Sequence, residues 1–288
     1  MNNNLKRLAL LAAALGAGAA SLQAHAAPTD PRVGLQLWSV KDEIKQDFEG
    51  TMTKIGQLGF QGVEFAGEFG PYKDNPAGLK AFMDKHHLQC AGAHMHFDQL
   101  EGASFETTTA FYKTLGCSNL VISMDKRGAS TEQSAQMSKE LTELSTRLAA
   151  KGMRIGYHNH AQEMAGPVGK TPWDVIAHGT PSVAIMQQDV GWTTYAGKDP
   201  VAYTRTYPGR TRTTHFKAKL VQGSTDGAPI IGQDKTDWVA LTRAVRQVGG
   251  TDWIIIEQEE YPNGMGQLET VAASMKGLQA VLANPAAR

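Results

Sequence analysis

Four segments in the second half of the chain bring imidazoles and carboxylates to the ends of short apolar runs. Tyr157-His158-Asn159-His160 closes the run that begins at Arg154, with Glu163 three residues further on. Gln187-Gln188-Asp189 closes the run from Val183, and His215-Phe216-Lys217 the run from Thr211. Glu257 follows three consecutive isoleucines in the run from Trp253. Alternate residues of a strand share a face, so His158 and His160 point the same way. A lone histidine at a strand end is usually a hydrogen-bonded core residue, and an aspartate there often caps a helix. Four such residues on successive segments point instead to one shared site. Mixed nitrogen and oxygen donors suit Mn²⁺, Fe²⁺, Co²⁺ or Zn²⁺ better than Ca²⁺. The expected ligands are His158, Asp189, His215 and Glu257, around one divalent ion (Mn, Co, Zn, Fe or Mg).

What positions these residues is a repeat. Eight apolar runs begin near Val33, Gly62, Cys90, Asn119, Arg154, Val183, Thr211 and Trp253, a step of about thirty residues. Helical patterns lie between them, at 44–58, 79–87, 105–115, 131–151, 173–178, 201–207, 238–248 and 268–282. In the first, Phe48, Met52, Ile55 and Leu58 are spaced for one buried face. A strand-helix unit repeated eight times predicts an α/β fold of the (β/α)8 TIM-barrel class, whose chemistry sits at the C-terminal ends of its strands. Glu64, His94 and His96 end the second and third runs. With His160, Glu163, Trp192 and Lys217 they are the expected substrate-binding residues; Trp38 and Trp192 offer apolar faces to a ring. Lys217 shares a face with His215, but a Schiff-base role would require a lowered lysine pKa.

Several of these segments also carry a resemblance. Gly156-Tyr157-His158-Asn159-His160, Gln188-Asp189-Val190-Gly191-Trp192, Asp199-Pro200-Val201, Tyr207-Pro208-Gly209-Arg210, His215-Phe216-Lys217 and Glu257-Gln258 together resemble the xylose isomerase-like TIM barrel superfamily. Within it the chain is similar to proteins labelled sugar phosphate isomerase/epimerase, a group that neighbours the family 2 AP endonucleases. The resemblance covers almost all of the chain after residue 26 and is strongest from residue 154. It implies a xylose isomerase-like barrel and an enzyme of sugars, but it spans ketose epimerases, inosose dehydratases, lyases of 3-keto sugars and an endonuclease branch.

In the epimerase branch the metal is held by Glu, Asp, His and Glu from strands five to eight. Asp189, His215 and Glu257 match in type, whereas His158 stands where the fifth-strand Glu belongs. His160 and Glu163 compete with His158 for that place. Glu257 and His158 are the expected catalytic pair, and an asymmetric pair suits isomerisation or elimination better than epimerisation through two opposed carboxylates. The loop Gly232-Gln233-Asp234-Lys235-Thr236-Asp237-Trp238 resembles a glycine-rich family pattern, but Asp234 replaces its second glycine and weakens a phosphate-cradle reading.

Length and charge bound the rest. The chain has 288 residues, enough for one barrel of about 250. It carries 28 basic and 28 acidic residues, with no basic excess to neutralise nucleic-acid phosphates. Residues 1–26 read as a secretory signal peptide. A basic start through Lys6 and Arg7 is followed by a small-residue apolar run, too short for a permanent span, and by Ala24-His25-Ala26 as the cleavage site. The expected organisation is a signal peptide over 1–26 and a single barrel domain over 27–288, exported to a periplasm and free of the membrane after cleavage. Cys90 and Cys117 are expected as two buried thiols, although neighbouring strands and an oxidising compartment permit a bridge.

The expected function is a metal-dependent isomerase or epimerase of an unphosphorylated sugar or keto-sugar, working by proton abstraction next to a carbonyl. The alternatives are a lyase or dehydratase on a 3-keto sugar or cyclitol and, from another class, a sugar-binding protein that has lost turnover. Homo-oligomerisation is compatible with all of these.

Overall fold

The computed structural model describes residues 30–288. The expected signal peptide and its cleavage site lie outside the described residues. Eight parallel strands form one sheet: β1 (Arg32–Gln36), β2 (Gly62–Phe65), β3 (Gln89–Met95), β4 (Asn119–Ile122), β5 (Arg154–His158), β6 (Ile185–Gln187), β7 (Thr213–Phe216) and β8 (Trp253–Ile256). The hydrogen-bonded order runs β6-β5-β4-β3-β2-β1-β8-β7. An isolated bridge between Asp189 and His215 joins the two ends, with the His215 N–H donating to Gln188 O at 2.9 Å. The Met186 N–H donates to Arg210 O at 2.8 Å on the same seam. The sheet thus closes into a (β/α)8 barrel.

Helices cover the outside because each carries one apolar stripe. The helix Thr131–Ala149 buries Ser134, Met137, Ser138, Leu141, Leu144, Ser145 and Leu148, at helical spacing. On β8 the strand period does the sorting. Ile254 and Ile256 join the core between barrel and helices, whereas Trp253 and Ile255 form a separate cluster with Ala91. Trp253 fills the lower barrel because its neighbours are small: a Cβ on Gly62 would lie 2.7 Å from its ring. Continuing the same parity, Trp253, Ile255 and Glu257 rise in steps of two, and the second step reaches the mouth.

The structure departs from the sequence reading in four places. The first helical pattern is two helices, Lys41–Gln46 and Phe48–Gln57, because Asp47 turns its side chain to accept from the Gly50 N–H at 2.9 Å and caps the second. A short helix, Val190–Tyr195, follows β6 directly. The helix from Trp238 widens into a π segment at Val245–Gly249. Finally, Cys90 and Cys117 are joined as a disulfide rather than standing as two thiols. They lie at the entrances of adjacent strands with Cα atoms 5.0 Å apart, inside the range a disulfide spans. Among the described residues no helix is long and apolar enough to cross a membrane.

Candidate metal centre at the barrel mouth

His158, Asp189, His215 and Glu257 meet where β5 to β8 end. Each offers one ligand atom, and these atoms all lie within 4.8 Å of one another. His158 Nε2 is 3.8 Å from Asp189 Oδ2, and His215 Nδ1 is 4.0 Å from the same oxygen. His215 Nδ1 is 2.9 Å from Glu257 Oε2. All four residues are buried.

Asp189 shows how one carboxylate serves two purposes. Its Oδ1 accepts from the Trp192 N–H at 2.7 Å, capping the helix Val190–Tyr195. Its backbone N–H donates to Asn159 Oδ1 at 2.9 Å, which ties the ends of β5 and β6 together. Its Oδ2 is buried without a hydrogen-bond partner. A buried carboxylate oxygen without a hydrogen bond is costly, and nearby cations offset that cost. Gly191 lets this helix start against β7: a Cβ there would lie 2.8 Å from Lys217 O.

Lys217 reaches the same point from β7. Its Nζ is 3.5 Å from Asp189 Oδ2 and 3.2 Å from Glu257 Oε2, and it pairs with Glu259. Burial pulls its pKa down, but Asp189, Glu257 and Glu259 outweigh burial and hold the ammonium well above its usual range. It is therefore a fixed positive charge, unsuited to a Schiff base.

Burial also pushes Asp189 up, to about 7, with Lys217 opposing. Burial acts the same way on Glu257, yet Lys217 and His215 prevail and keep it well below the usual carboxylate range. His215 is buried too, but Glu64 and Glu257 lift its ring to about 10. His158 goes the other way: burial and the neighbouring His215 hold it neutral, as a ligand imidazole must be.

Beneath these residues lies a layer of polar side chains. Glu64 Oε2 accepts from Gln36 Nε2 at 2.7 Å and His215 Nε2 at 2.5 Å; its Oε1 accepts from Gln187 Nε2 at 2.7 Å. His94 Nε2 lies 3.3 Å from Glu64 Oε2, and the His94 ring stacks on His215 with centroids 5.2 Å apart. With His158 and His215, His94 forms a second set of three close ligand atoms. Gln36 and Gln187 had no assigned role in the sequence. Their signal is an amide inside an otherwise apolar strand, where a partner must be found.

The remaining expected residues spread out. His160 stands beside His158 with centroids 4.9 Å apart, its Nδ1 buried and unpartnered, and burial lowers its ring to about 4. Glu163 is turned from the ligand cluster: it accepts from the His160 N–H at 2.8 Å and the Tyr157 hydroxyl at 3.1 Å. That pairing anchors the turn after β5. His96 is exposed, and its backbone N–H donates to Gln99 Oε1 at 2.8 Å. Trp192 is half-buried beneath the ammonium groups of Lys217 and Lys219, 4.9 and 4.4 Å from its ring. Trp38 is exposed, with the Lys41 ammonium 4.2 Å over its ring. In the loop after β7, Asp234 accepts from Trp238 Nε1 at 2.6 Å and Thr236 Oγ1 at 2.5 Å, so the loop is tied by its own side chains.

The sequence model of the xylose isomerase-like TIM barrel matches residues 52–281, most of the chain. The protein belongs to the xylose isomerase-like TIM barrel family. Among curated members, an inosose dehydratase of Lacticaseibacillus casei is 23% identical over 277 residues, covering 83% of this chain and 91% of that one. Among solved structures, a sugar phosphate isomerase/epimerase from Parabacteroides distasonis ATCC 8503 superposes with a TM-score of 0.73 at 21% identity, over 90% of this chain and 96% of that one. A D-psicose 3-epimerase superposes with a TM-score of 0.56 at 14% identity, over 88% and 97%. At these identities the structural likenesses speak for the shared barrel.

Proposed function

We propose that this family member is a divalent-metal-dependent isomerase or epimerase of an unphosphorylated sugar or keto-sugar, working by proton abstraction next to a carbonyl. The observation that carries the reading is Asp189 Oδ2, buried without a hydrogen bond at the point where His158, His215 and Glu257 converge. A site of two imidazoles and two carboxylates fits a borderline first-row ion. Such an ion would act as a Lewis acid on vicinal substrate oxygens.

The protein's own groups divide the remaining work. The contacts of Glu257 with His215 and Lys217 are made through Oε2, and its second oxygen is assigned to take the substrate's proton. Lys217 balances the charge of Asp189, Glu257 and Glu259, so the carboxylates stay close without mutual repulsion. His94 stacks on His215, and His160 stands between His158 and Trp192, next to the ligand cluster. Around Asp189 and Glu257 the cations are already committed to carboxylates, Lys217 to Glu259 and Lys219 to Glu260, which favours an uncharged substrate over a phosphate ester.

One observation favours a second reading, elimination by a dehydratase on a keto-cyclitol or 3-keto sugar. The residue facing Glu257 from β5 is His158, not a carboxylate, so only one carboxylate base serves the reacting carbon. The likeness to an inosose dehydratase over 91% of that protein's length supports it.

Export to the periplasm belongs to the same proposal. It is supported by the basic start, apolar run and Ala24-His25-Ala26 of the sequence, and by the Cys90–Cys117 disulfide, a bond that persists in oxidising compartments. The test is a panel of keto-sugars and cyclitols incubated in D₂O with metal-loaded enzyme. Deuterium incorporation, isomerised product or dehydrated product supports the reading. Tight sugar binding with none of these would leave a binding protein.

A further inference from the structure

We infer that Gln187 is a positioning residue that fixes which nitrogen of His158 carries its proton and, through Glu64, does the same for His215. The inference rests on the proposed metal site, because its consequence is that both rings present lone pairs to one point.

The Glu64 carboxylate can only accept. Its Oε1 faces the Gln187 side chain at 2.7 Å, so the nearer Gln187 atom must be the donating Nε2, which also donates to Thr213 Oγ1 at 2.8 Å. The amide is therefore oriented, and its Oε1 must face the imidazoles. That oxygen lies 3.1 Å from His158 Nδ1 and 2.9 Å from His94 Nε2. An amide oxygen has two acceptor lone pairs and no proton, so both nitrogens must be N–H. His94 Nε2 also faces Glu64 Oε2 at 3.3 Å, a second acceptor that requires the same proton.

With Nδ1 protonated, neutral His158 keeps its lone pair on Nε2, the atom that faces Asp189 Oδ2 at 3.8 Å. His215 is set by the same network: Nε2 donates to Glu64 Oε2 at 2.5 Å, so Nδ1 is the atom left to ligate. All of these groups except His94 are buried, so losing one partner leaves a buried polar atom unpaired. Metal-binding histidines depend on a hydrogen bond to the second nitrogen in this way, and losing it costs about 10- to 100-fold in affinity. Here one amide serves two rings and steadies the carboxylate that serves the third.

The network can be inverted without changing its shape. Gln187→Glu alone sets two carboxylates face to face. Combined with Glu64→Gln, the bonds from position 187 to position 64 and to Thr213 are restored with donor and acceptor exchanged, the Thr213 hydroxyl turning from acceptor to donor, while the imidazole N–H groups still donate to oxygens. The test uses ¹⁵N-labelled, metal-free full-length protein. Imidazole nitrogen shifts report the tautomer, and calorimetric titration with Zn²⁺ reports affinity. In the wild type His158 is expected as a single Nδ1–H tautomer. Gln187→Met should lose that uniformity and weaken Zn²⁺ binding about 10- to 100-fold. The Glu64→Gln/Gln187→Glu pair should recover the tautomer and come within about threefold of wild-type affinity. Gln187→Met with a pure Nδ1–H His158 and wild-type affinity would overturn the inference. If wild-type protein takes up no Zn²⁺, the metal reading fails while the tautomer still decides the role of Gln187. If Gln187→Met does not fold, the single and paired exchanges decide, and a pair that does not recover the His158 tautomer overturns it.

Discussion

His215 Nδ1 and Glu257 Oε2 lie 2.9 Å apart, in hydrogen-bond contact across the ends of β7 and β8. This atom of His215 is also the one expected to bind the metal, since Nε2 is committed to Glu64. A proton must leave before the metal can enter.

Metal binding should therefore release protons and strengthen with pH. The His215 ring is lifted to about 10, so in metal-free protein it carries both protons throughout the neutral range. Asp189, raised to about 7, adds a second proton below that value. Between pH 8 and 9 affinity should rise about tenfold per pH unit for the single His215 proton, and more steeply below pH 7. Calorimetry in buffers of different ionisation enthalpy counts the protons. Binding at pH 8 with no release would show that His215 is not a ligand.

Glu257→Gln should abolish exchange of the substrate's α-hydrogen with solvent deuterium, by about 10²- to 10⁴-fold. Glutamine keeps the size and one ligand oxygen but loses the basicity. Metal content is measured alongside. Undiminished exchange with metal still bound would remove Glu257 as the base and turn attention to His94 or His160.

Gly92→Ala should destabilise the protein by about 1–3 kcal/mol, by overpacking. A Cβ there would lie 2.9 Å from Glu64 Oε1 and 3.2 Å from Asn119 O. Because Glu64 would have to move, metal affinity should fall too. Denaturant unfolding and metal titration on one preparation check both, and a neutral substitution would mean that Glu64 is free to shift.

The Cys90–Cys117 bridge closes a loop with a sequence separation of 27, for which chain entropy gives about 3–4 kcal/mol. Reduction, or Cys117→Ser, should lower the unfolding midpoint accordingly. Peptide mapping without reductant should recover the two cysteines in one linked species; free thiols on both in exported protein would contradict it.

The strands and their mouth residues were legible because two simple periods suffice for them. A repeat of about thirty residues implies the barrel, and a step of two carries Ile255 inward and on to Glu257. The helix break at Asp47 was hidden because Ile44, Phe48, Met52 and Ile55 keep helical spacing across it. The disulfide was missed because pairing depends on where the helix Ser104–Leu115 delivers Cys117, a tertiary fact. The helix Val190–Tyr195 was hidden because the run from Val183 continues to Asp189 in the sequence, whereas pairing stops at Gln187 and Asp189 caps a helix. The roles of Gln36 and Gln187 were illegible for a deeper reason. An amide's function is set by which partners surround it, and those come from strands more than a hundred residues apart, as with Gln187 and Glu64.

The central claim is a metal held by His158, Asp189, His215 and Glu257. Its most direct test is metal analysis of purified protein after loading with Mn²⁺, Co²⁺ or Zn²⁺ and removal of excess, for wild type and Asp189→Ala. The wild type should hold about one ion per chain and Asp189→Ala should lose it, with the fold retained because the residue sits at the mouth rather than in the apolar core. Wild-type protein that retains no divalent ion under any loading condition, or Asp189→Ala that retains a full equivalent, would contradict it.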